Sequence, residues 1–153
     1  MTAPFFTDQV RLTVERQRLW TVFDDAAALA RVLPGCERLE AVGPHVYRGV
    51  LASRLQFLTL RADVEARILD VDRPEHLRLE IDGRPRGLAG GFRASIPIDL
   101  VAAEGGGTIV RYDVALTTSG RLAAFGAPIL RDTFRRQVTE LIANLEREYS
   151  TEA

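Results

Sequence analysis

Few side chains in this sequence could carry chemistry. There are two histidines, His45 and His76, and one cysteine, Cys36. His45 follows Gly43-Pro44 and His76 follows Pro74-Glu75, so both are expected exposed at turns. Neither stands at a metal-ligand spacing from Cys36 or from the other, and a structural metal site needs several such ligands together. Neither has an apolar stretch around it to tune it for general acid or base work. Cys36 comes just after Pro34-Gly35, beyond the end of a predicted helix. A reactive thiol needs a nearby cation or a helix N-terminus, whereas the negative end of a helix disfavours the thiolate. Cys36 therefore reads as a small apolar side chain at a helix–strand junction. No metal and no other cofactor is expected.

Other catalytic patterns are missing. There is no serine nucleophile elbow, and no pair of carboxylates falls on an apolar face. The glycine-rich stretches 87–91 (GLAGG) and 104–107 (EGGG) lack the lysine and the strand-to-helix setting of a phosphate loop. Both read as hairpin loops. The first is uncharged and follows Arg84 and Arg86, so it could form the mouth of an apolar site as well as an ordinary hairpin. All 20 basic residues are arginine, which excludes lysine Schiff-base chemistry. What remains is a small set of polar residues on predicted inward faces: Tyr47, Ser95, Tyr112, Thr133 and Gln137. In an apolar hollow such groups would orient a ligand by hydrogen bonds. In a filled core the two tyrosines would bond to backbone instead. Trp20 is read as core packing.

The elements that must hold these groups are legible from periodicity. From 121 to 150 the chain reads as one long helix. Leu130, Phe134, Val138, Leu141, Ile142 and Leu145 share one arc of it, and Asp132, Arg135, Arg136, Glu140 and Arg147 lie outside. Residues 122–130 carry no charge and should be covered on more than one side; Pro128 should kink the helix there. Phe6 to Val14 alternates as a strand. Two short helices follow, at 16–23 and 24–33, with Asp24 or Asp25 as cap of the second. Six strands come next, near 37–42, 45–54, 58–70, 76–82, 91–102 and 108–118. Leu58, Leu60, Ala62, Val64, Ala66 and Ile68 face one way, against Arg61, Asp63, Glu65 and Arg67. One wet and one dry face is the antiparallel pattern. The order predicts an α+β fold in which a seven-stranded, curved antiparallel sheet wraps a long helix, with room for a hollow beside it.

Composition agrees. At 153 residues, 46% apolar and 27% charged, the chain suits one soluble domain. A net charge of −1 gives no nucleic-acid footprint. The single cysteine excludes an internal disulfide and fits a reducing, cytoplasmic setting. The N-terminus is too short and polar for a signal peptide, and no uncharged apolar run reaches the length of a membrane span.

The element order, and the stretch Asp25-Ala-Ala-Ala-Leu-Ala-Arg-Val-Leu-Pro-Gly-Cys36-Glu-Arg-Leu-Glu40, resemble the CoxG-like family, named for the G subunit of carbon monoxide dehydrogenase. Gly107-Thr108 before a strand, and Ser119-Gly120-Arg121-Leu122-Ala123 before the last helix, are similar to weaker family features. The family belongs to the START and Bet v 1-like helix-grip superfamily (SRPBCC). The resemblance runs from about Val10 onward and implies that fold as a single domain. It implies an accessory protein that binds or carries a hydrophobic, quinone- or lipid-like molecule for a molybdenum hydroxylase. The cavity would lie between sheet and helix. Its candidate lining is Tyr47, Leu60, Ala62, Val64, Leu79, Phe92, Ala94, Ile96 and Tyr112 from strands, with Leu122, Phe125, Gly126, Ile129, Leu130 and Thr133 from the helix. The chain departs from the family in carrying Ser53-Arg54-Leu55-Gln56-Phe57 where a Val-Gly-Pro-like turn is usual. It also stops at Ala153, where many members continue into a membrane-seeking tail, so recruitment through such a tail is not expected. Association with the periphery of the inner membrane would have to arise otherwise. Two alternatives stand beside this reading. One is a cyclase- or dehydratase-like enzyme, which needs an inward titratable residue. The other is an interaction module docking through Leu55-Gln56-Phe57-Leu58.

Overall fold

The structure is a computed structural model and describes residues 6–150. Seven strands form one antiparallel sheet: β1 (Phe6–Leu12), β2 (Cys36–Gly43), β3 (Val46–Leu55), β4 (Leu58–Asp72), β5 (His76–Pro85), β6 (Gly90–Ala102) and β7 (Thr108–Ser119). Their order is β1-β7-β6-β5-β4-β3-β2. Thus β2 to β7 run as a meander and β1 closes onto the last strand, pairing Phe6 with Val114 and Leu12 with Thr108. Helices α1 (Arg16–Phe23) and α2 (Ala26–Val32) fill the crossover between β1 and β2, and α3 (Gly120–Ala123) and α4 (Ala127–Tyr149) follow β7. This is the helix-grip architecture expected from the element order.

Local chemistry explains the corners. The Asp25 side chain accepts from the Ala27 N–H at 3.0 Å and starts α2. Leu33, Pro34 and Gly35 end it. Gly35 has φ +69°, and a Cβ there would stand 1.9 Å from the Ala52 carbonyl oxygen. That closeness lets the Ala52 N–H donate to the Gly35 carbonyl at 2.8 Å. The Leu-Pro-Gly-Cys turn is thereby stitched to the middle of β3. At the same end of the molecule, Asp24 receives both arms of the Arg73 guanidinium, at 2.7 and 2.8 Å, and meets His45 Nε2 at 3.0 Å. Arg73 lies over the Trp20 ring, 4.4 Å from its centre. The α1–α2 corner, the β2–β3 turn and the β4–β5 turn are tied through these four side chains.

The last helical segment differs from the expected kinked rod. Gly126, φ +90°, is the N-cap of α4, and Pro128 falls in its first turn. A first-turn N–H has no acceptor within the helix, so proline there costs no hydrogen bond. The chain breaks completely before Pro128 instead of bending at it. The expected cover around 122–130 is also partial. Leu122 and Leu130 are buried, while Ala123, Ala124, Ala127 and Pro128 are exposed.

The wet face carries a row of charge. Arg48, Glu65, Asp82 and Arg93 are successive direct partners across β3, β4, β5 and β6. Glu65 and Asp82 are like charges side by side, which is unfavourable alone. Arg67 lies between them, 2.7 Å from Glu65 and 2.8 Å from Asp82.

Three apolar clusters make the interior. The largest packs α1, α2 and the end of α4 on the sheet, around Leu12, Trp20, Ile68, Leu77, Leu100 and Leu145. A second joins Phe6, Ala94, Ile96, Tyr112 and Val114 near β1. A third, smaller one holds Leu55, Leu122 and Leu130 at the opposite end. Among the described residues no helix is long and apolar enough to cross a membrane.

Candidate ligand cavity

The apolar stripe of α4 is incompletely covered. Leu130 and Leu145, near its two ends, are buried, but Phe134, Val138, Leu141 and Ile142 between them are only half-buried. Most of this middle section faces a cavity of about 210 Å³ between α4 and the sheet. The sheet wall comes from inward residues of β3 to β7: Leu51 and Leu55, Leu60, Ala62 and Val64, Leu79 and Ile81, Phe92 and Ile96, and Leu116. Leu33 and Pro34 from the turn after α2 close one side, beside Ala52. Phe92 meets Phe134 edge-on, with ring centres 6.4 Å apart. Leu122 and Leu130 link the cavity to the small end cluster.

The lining holds four polar side chains and no charged one: Ser53, Thr118, Thr133 and Gln137. Thr133 bonds back to the Ile129 carbonyl of its own helix at 2.9 Å. Gln137 Nε2 donates across the cavity rim to Ser53 Oγ at 2.9 Å. Just outside, the Arg136 guanidinium reaches the Arg54 carbonyl. A wider depression, about 860 Å³, lies on the outer face of the sheet among Arg48, Asp63, Glu65, Asp82 and Arg93. It is open to solvent and charged with both signs, and its side chains already pair with one another, so it offers an apolar molecule nothing.

Of the residues expected to line the site, Leu60, Ala62, Val64, Leu79, Phe92, Ile96, Leu122, Leu130 and Thr133 do so. Tyr47 does not: it is buried in the main core, where its hydroxyl donates to the Phe23 carbonyl at 2.7 Å. Ala94 and Tyr112 lie one cluster away, where the Tyr112 ring meets Phe6 edge-on. Burial pushes both phenols above their ordinary acidity range. Phe125 and Ile129 pack against the end cluster, and Gly126 caps α4. Leu33, Pro34, Leu51, Ala52 and Leu55 join the lining unannounced. Hairpin register carried the missing signal for β3: Leu51 pairs with Ala62 and Ser53 with Leu60, and paired residues share a face.

The groups weighed for catalysis are elsewhere. His45 is held by Asp24, and His76 Nδ1 meets Asp99 at 2.8 Å. The histidines are about one-third exposed rather than open to solvent, at 33% and 34%. Burial raises the Cys36 thiol, which disfavours the nucleophilic thiolate. Among the described residues no three potential ligands gather to hold a metal. In the 87–91 loop, Leu88 packs on the end cluster beside the cavity.

The family model for the carbon monoxide dehydrogenase G subunit (CoxG) matches residues 9–150. The chain belongs to the CoxG family. No curated protein sequence matches it. Among solved structures, a conserved protein from Geobacillus kaustophilus is similar with a TM-score of 0.85 and 21% identity, over 94% of this CoxG-family chain and 93% of that one. A START superfamily protein from Mycobacterium smegmatis matches with a TM-score of 0.69 and 9% identity, over 94% and 95%. The ZhuI aromatase/cyclase from Streptomyces sp. R1128 matches with a TM-score of 0.66 and 13% identity, over 94% and 92%. At these identities the likeness is one of fold.

Proposed function

We propose that this CoxG-family protein binds a hydrophobic small molecule, quinone- or lipid-like, between α4 and the sheet. In that role it serves as accessory to a molybdenum hydroxylase of the carbon monoxide dehydrogenase type. The observation that carries this is the half-buried middle of the α4 stripe facing an uncharged cavity. The uncovered part of the α4 stripe and the apolar sheet wall opposite it stay in contact with solvent rather than with each other. An apolar guest that fills the space removes that surface from water. The link to a molybdenum hydroxylase rests on the family's description as a dehydrogenase component.

Organic extraction of the purified protein, followed by mass spectrometry, is the direct test. Together with titration of an apolar fluorescent probe, it should reveal a bound guest. Absence of any guest, with no probe uptake, would sink the reading. Capture with tagged protein from its own cells should bring down the hydroxylase subunits.

The cyclase-like alternative draws on the fold shared with the aromatase/cyclase. It needs a titratable group on the guest, and the uncharged lining speaks for carriage instead. One observation favours docking as an added role. Phe57, at the tip of the β3–β4 hairpin, is 95% exposed. Phe57→Glu should abolish partner capture and leave probe binding intact.

A further inference from the structure

The polar groups on the cavity wall are not equivalent. Thr133 gives its hydroxyl proton to its own helix and keeps only an acceptor, and Thr118 on β7 is a single hydroxyl. Ser53 and Gln137 are not spent. Gln137 uses one amide N–H on the Ser53 oxygen, at 2.9 Å. By inventory, the serine O–H, the second amide N–H and the amide oxygen stay available. The pair joins the middle of α4 to β3, and both residues belong to the lining. Whichever way the amide is turned, the pair keeps at least one donor and one acceptor unused at the wall of the same apolar space. Among the described residues no arginine or histidine lines that space, and the Arg136 guanidinium just outside it is taken up by the Arg54 carbonyl. An ionised carboxylate placed there would lose its hydration without gaining a counter-charge.

We propose that Ser53 and Gln137 are the polar anchor of the cavity, and that they select a compact neutral molecule bearing a carbonyl or hydroxyl oxygen while carboxylates are rejected. This rests on the ligand-binding reading above and narrows it: fatty-acid anions are excluded, and compact neutral oxygen-bearing compounds are favoured. Size agrees, since a dry engineered cavity of about 150 Å³ holds benzene, and the volume here is about 210 Å³.

Three probes of one shape separate the cases: naphthalene, 2-naphthol and 2-naphthoate, titrated against the full chain at pH 7. Naphthol should bind about three- to tenfold tighter than naphthalene, the span that one net hydrogen bond provides. Naphthoate should bind at least tenfold more weakly than naphthol, and should recover as the pH is lowered enough to protonate it. The double variant Ser53→Ala/Gln137→Leu removes both partners, so neither is left unpaired. It should still bind naphthalene and lose the naphthol preference, the ratio of its naphthol and naphthalene affinities falling to about one. Binding of naphthalene shows that the variant has kept its cavity; the wild-type comparison of the three probes decides even if the variant fails to fold. Equal affinity for naphthol and naphthalene, a preference that survives in the double variant, or naphthoate bound as tightly as naphthol would overturn the anchor and leave ligand binding standing. Failure of all three probes would overturn both.

Discussion

At the scale of single residues, the cavity depends on small side chains in chosen places. Ala62 stands on the sheet wall where its neighbours are leucine, valine and isoleucine. Ala62→Leu puts three more carbons into the space. We expect it to raise stability by about 0.5–2 kcal/mol, as cavity filling commonly does, and to abolish uptake of apolar probes. Thermal unfolding and a probe titration on the same sample check both halves. Gly35 is the opposite case, a position where nothing larger fits. Its φ of +69° and the 1.9 Å approach of an added Cβ to the Ala52 oxygen are incompatible with alanine. The backbone strain alone costs ~1–3 kcal/mol, so Gly35→Ala should lower the urea midpoint by at least that equivalent. Pro34 and Ala52 flank the cavity, so probe affinity should fall as well. The motif Leu-Pro-Gly-Cys was readable as a helix stop. That it also shapes the cavity rim was not readable, because the partner atom is an oxygen seventeen positions further along the chain.

At the scale of elements, α4 is 23 residues long, ~34 Å at ~1.5 Å per residue. Its stripe was legible from helical spacing; its start was not, since the expected helix began at 121 and α4 begins at Ala127, nearly two turns later. Nor was the division of labour along it. The uncharged segment 122–130 looked like the ligand-facing part, yet the cavity lies mostly against 130–141. Charge pattern reports which side of a helix faces solvent, whereas a hollow depends on how far the opposite wall stands away. The proline illustrates the same limit. Within a continuous helix Pro128 would cost ~3 kcal/mol, but in the first turn it is well placed. Pro128→Ala should therefore shift stability by no more than about 0.5 kcal/mol either way, measured by equilibrium urea unfolding. A gain of several kcal/mol would mean that Pro128 sits inside a continuous helix and that the break at Gly126 is misplaced. The β3 wall was missed for a related reason. Leu55 pairs with Leu58 around Gln56-Phe57, a two-residue turn without the usual Asn-Gly or Asp-Gly signal. Without that turn the register, and hence the inward face of β3, could not be assigned.

For the whole molecule, carboxylates held by arginines make stability depend on acid, Asp24 and Asp82 among them. Asp24 is held below the ordinary aspartate range, chiefly by its hydrogen bond from Arg73, against a smaller opposing effect of burial. Asp82 is held down chiefly by Arg93, with Arg67 helping. A carboxylate that is easier to ionise in the folded state stabilises it at every pH above the unfolded value, about 3.9. That contribution is lost as the pH falls through the lower, folded value. Urea midpoints should thus be flat near neutrality and fall below about pH 4. Asp24→Asn should lower the midpoint at pH 7, and its deficit should shrink in acid; a deficit that does not change with pH would disprove this. Beyond such local effects, sequence periodicity alone determined the seven strands, the two short helices after the first of them, the long helix at the end, and the alternation of wet and dry faces that makes the sheet antiparallel; the break that sets α3 apart from α4 it did not determine. It also determined the scarcity of catalytic groups, since residue types are visible without any fold. These follow from local rules of spacing. Only the tertiary structure decided that Tyr47 and Tyr112 belong to filled clusters, that Ser53 meets Gln137, and that the middle of α4 stays partly uncovered. Such facts depend on distances between segments far apart in the chain. A cavity is a volume that no residue occupies, so no stretch of sequence can encode it by itself.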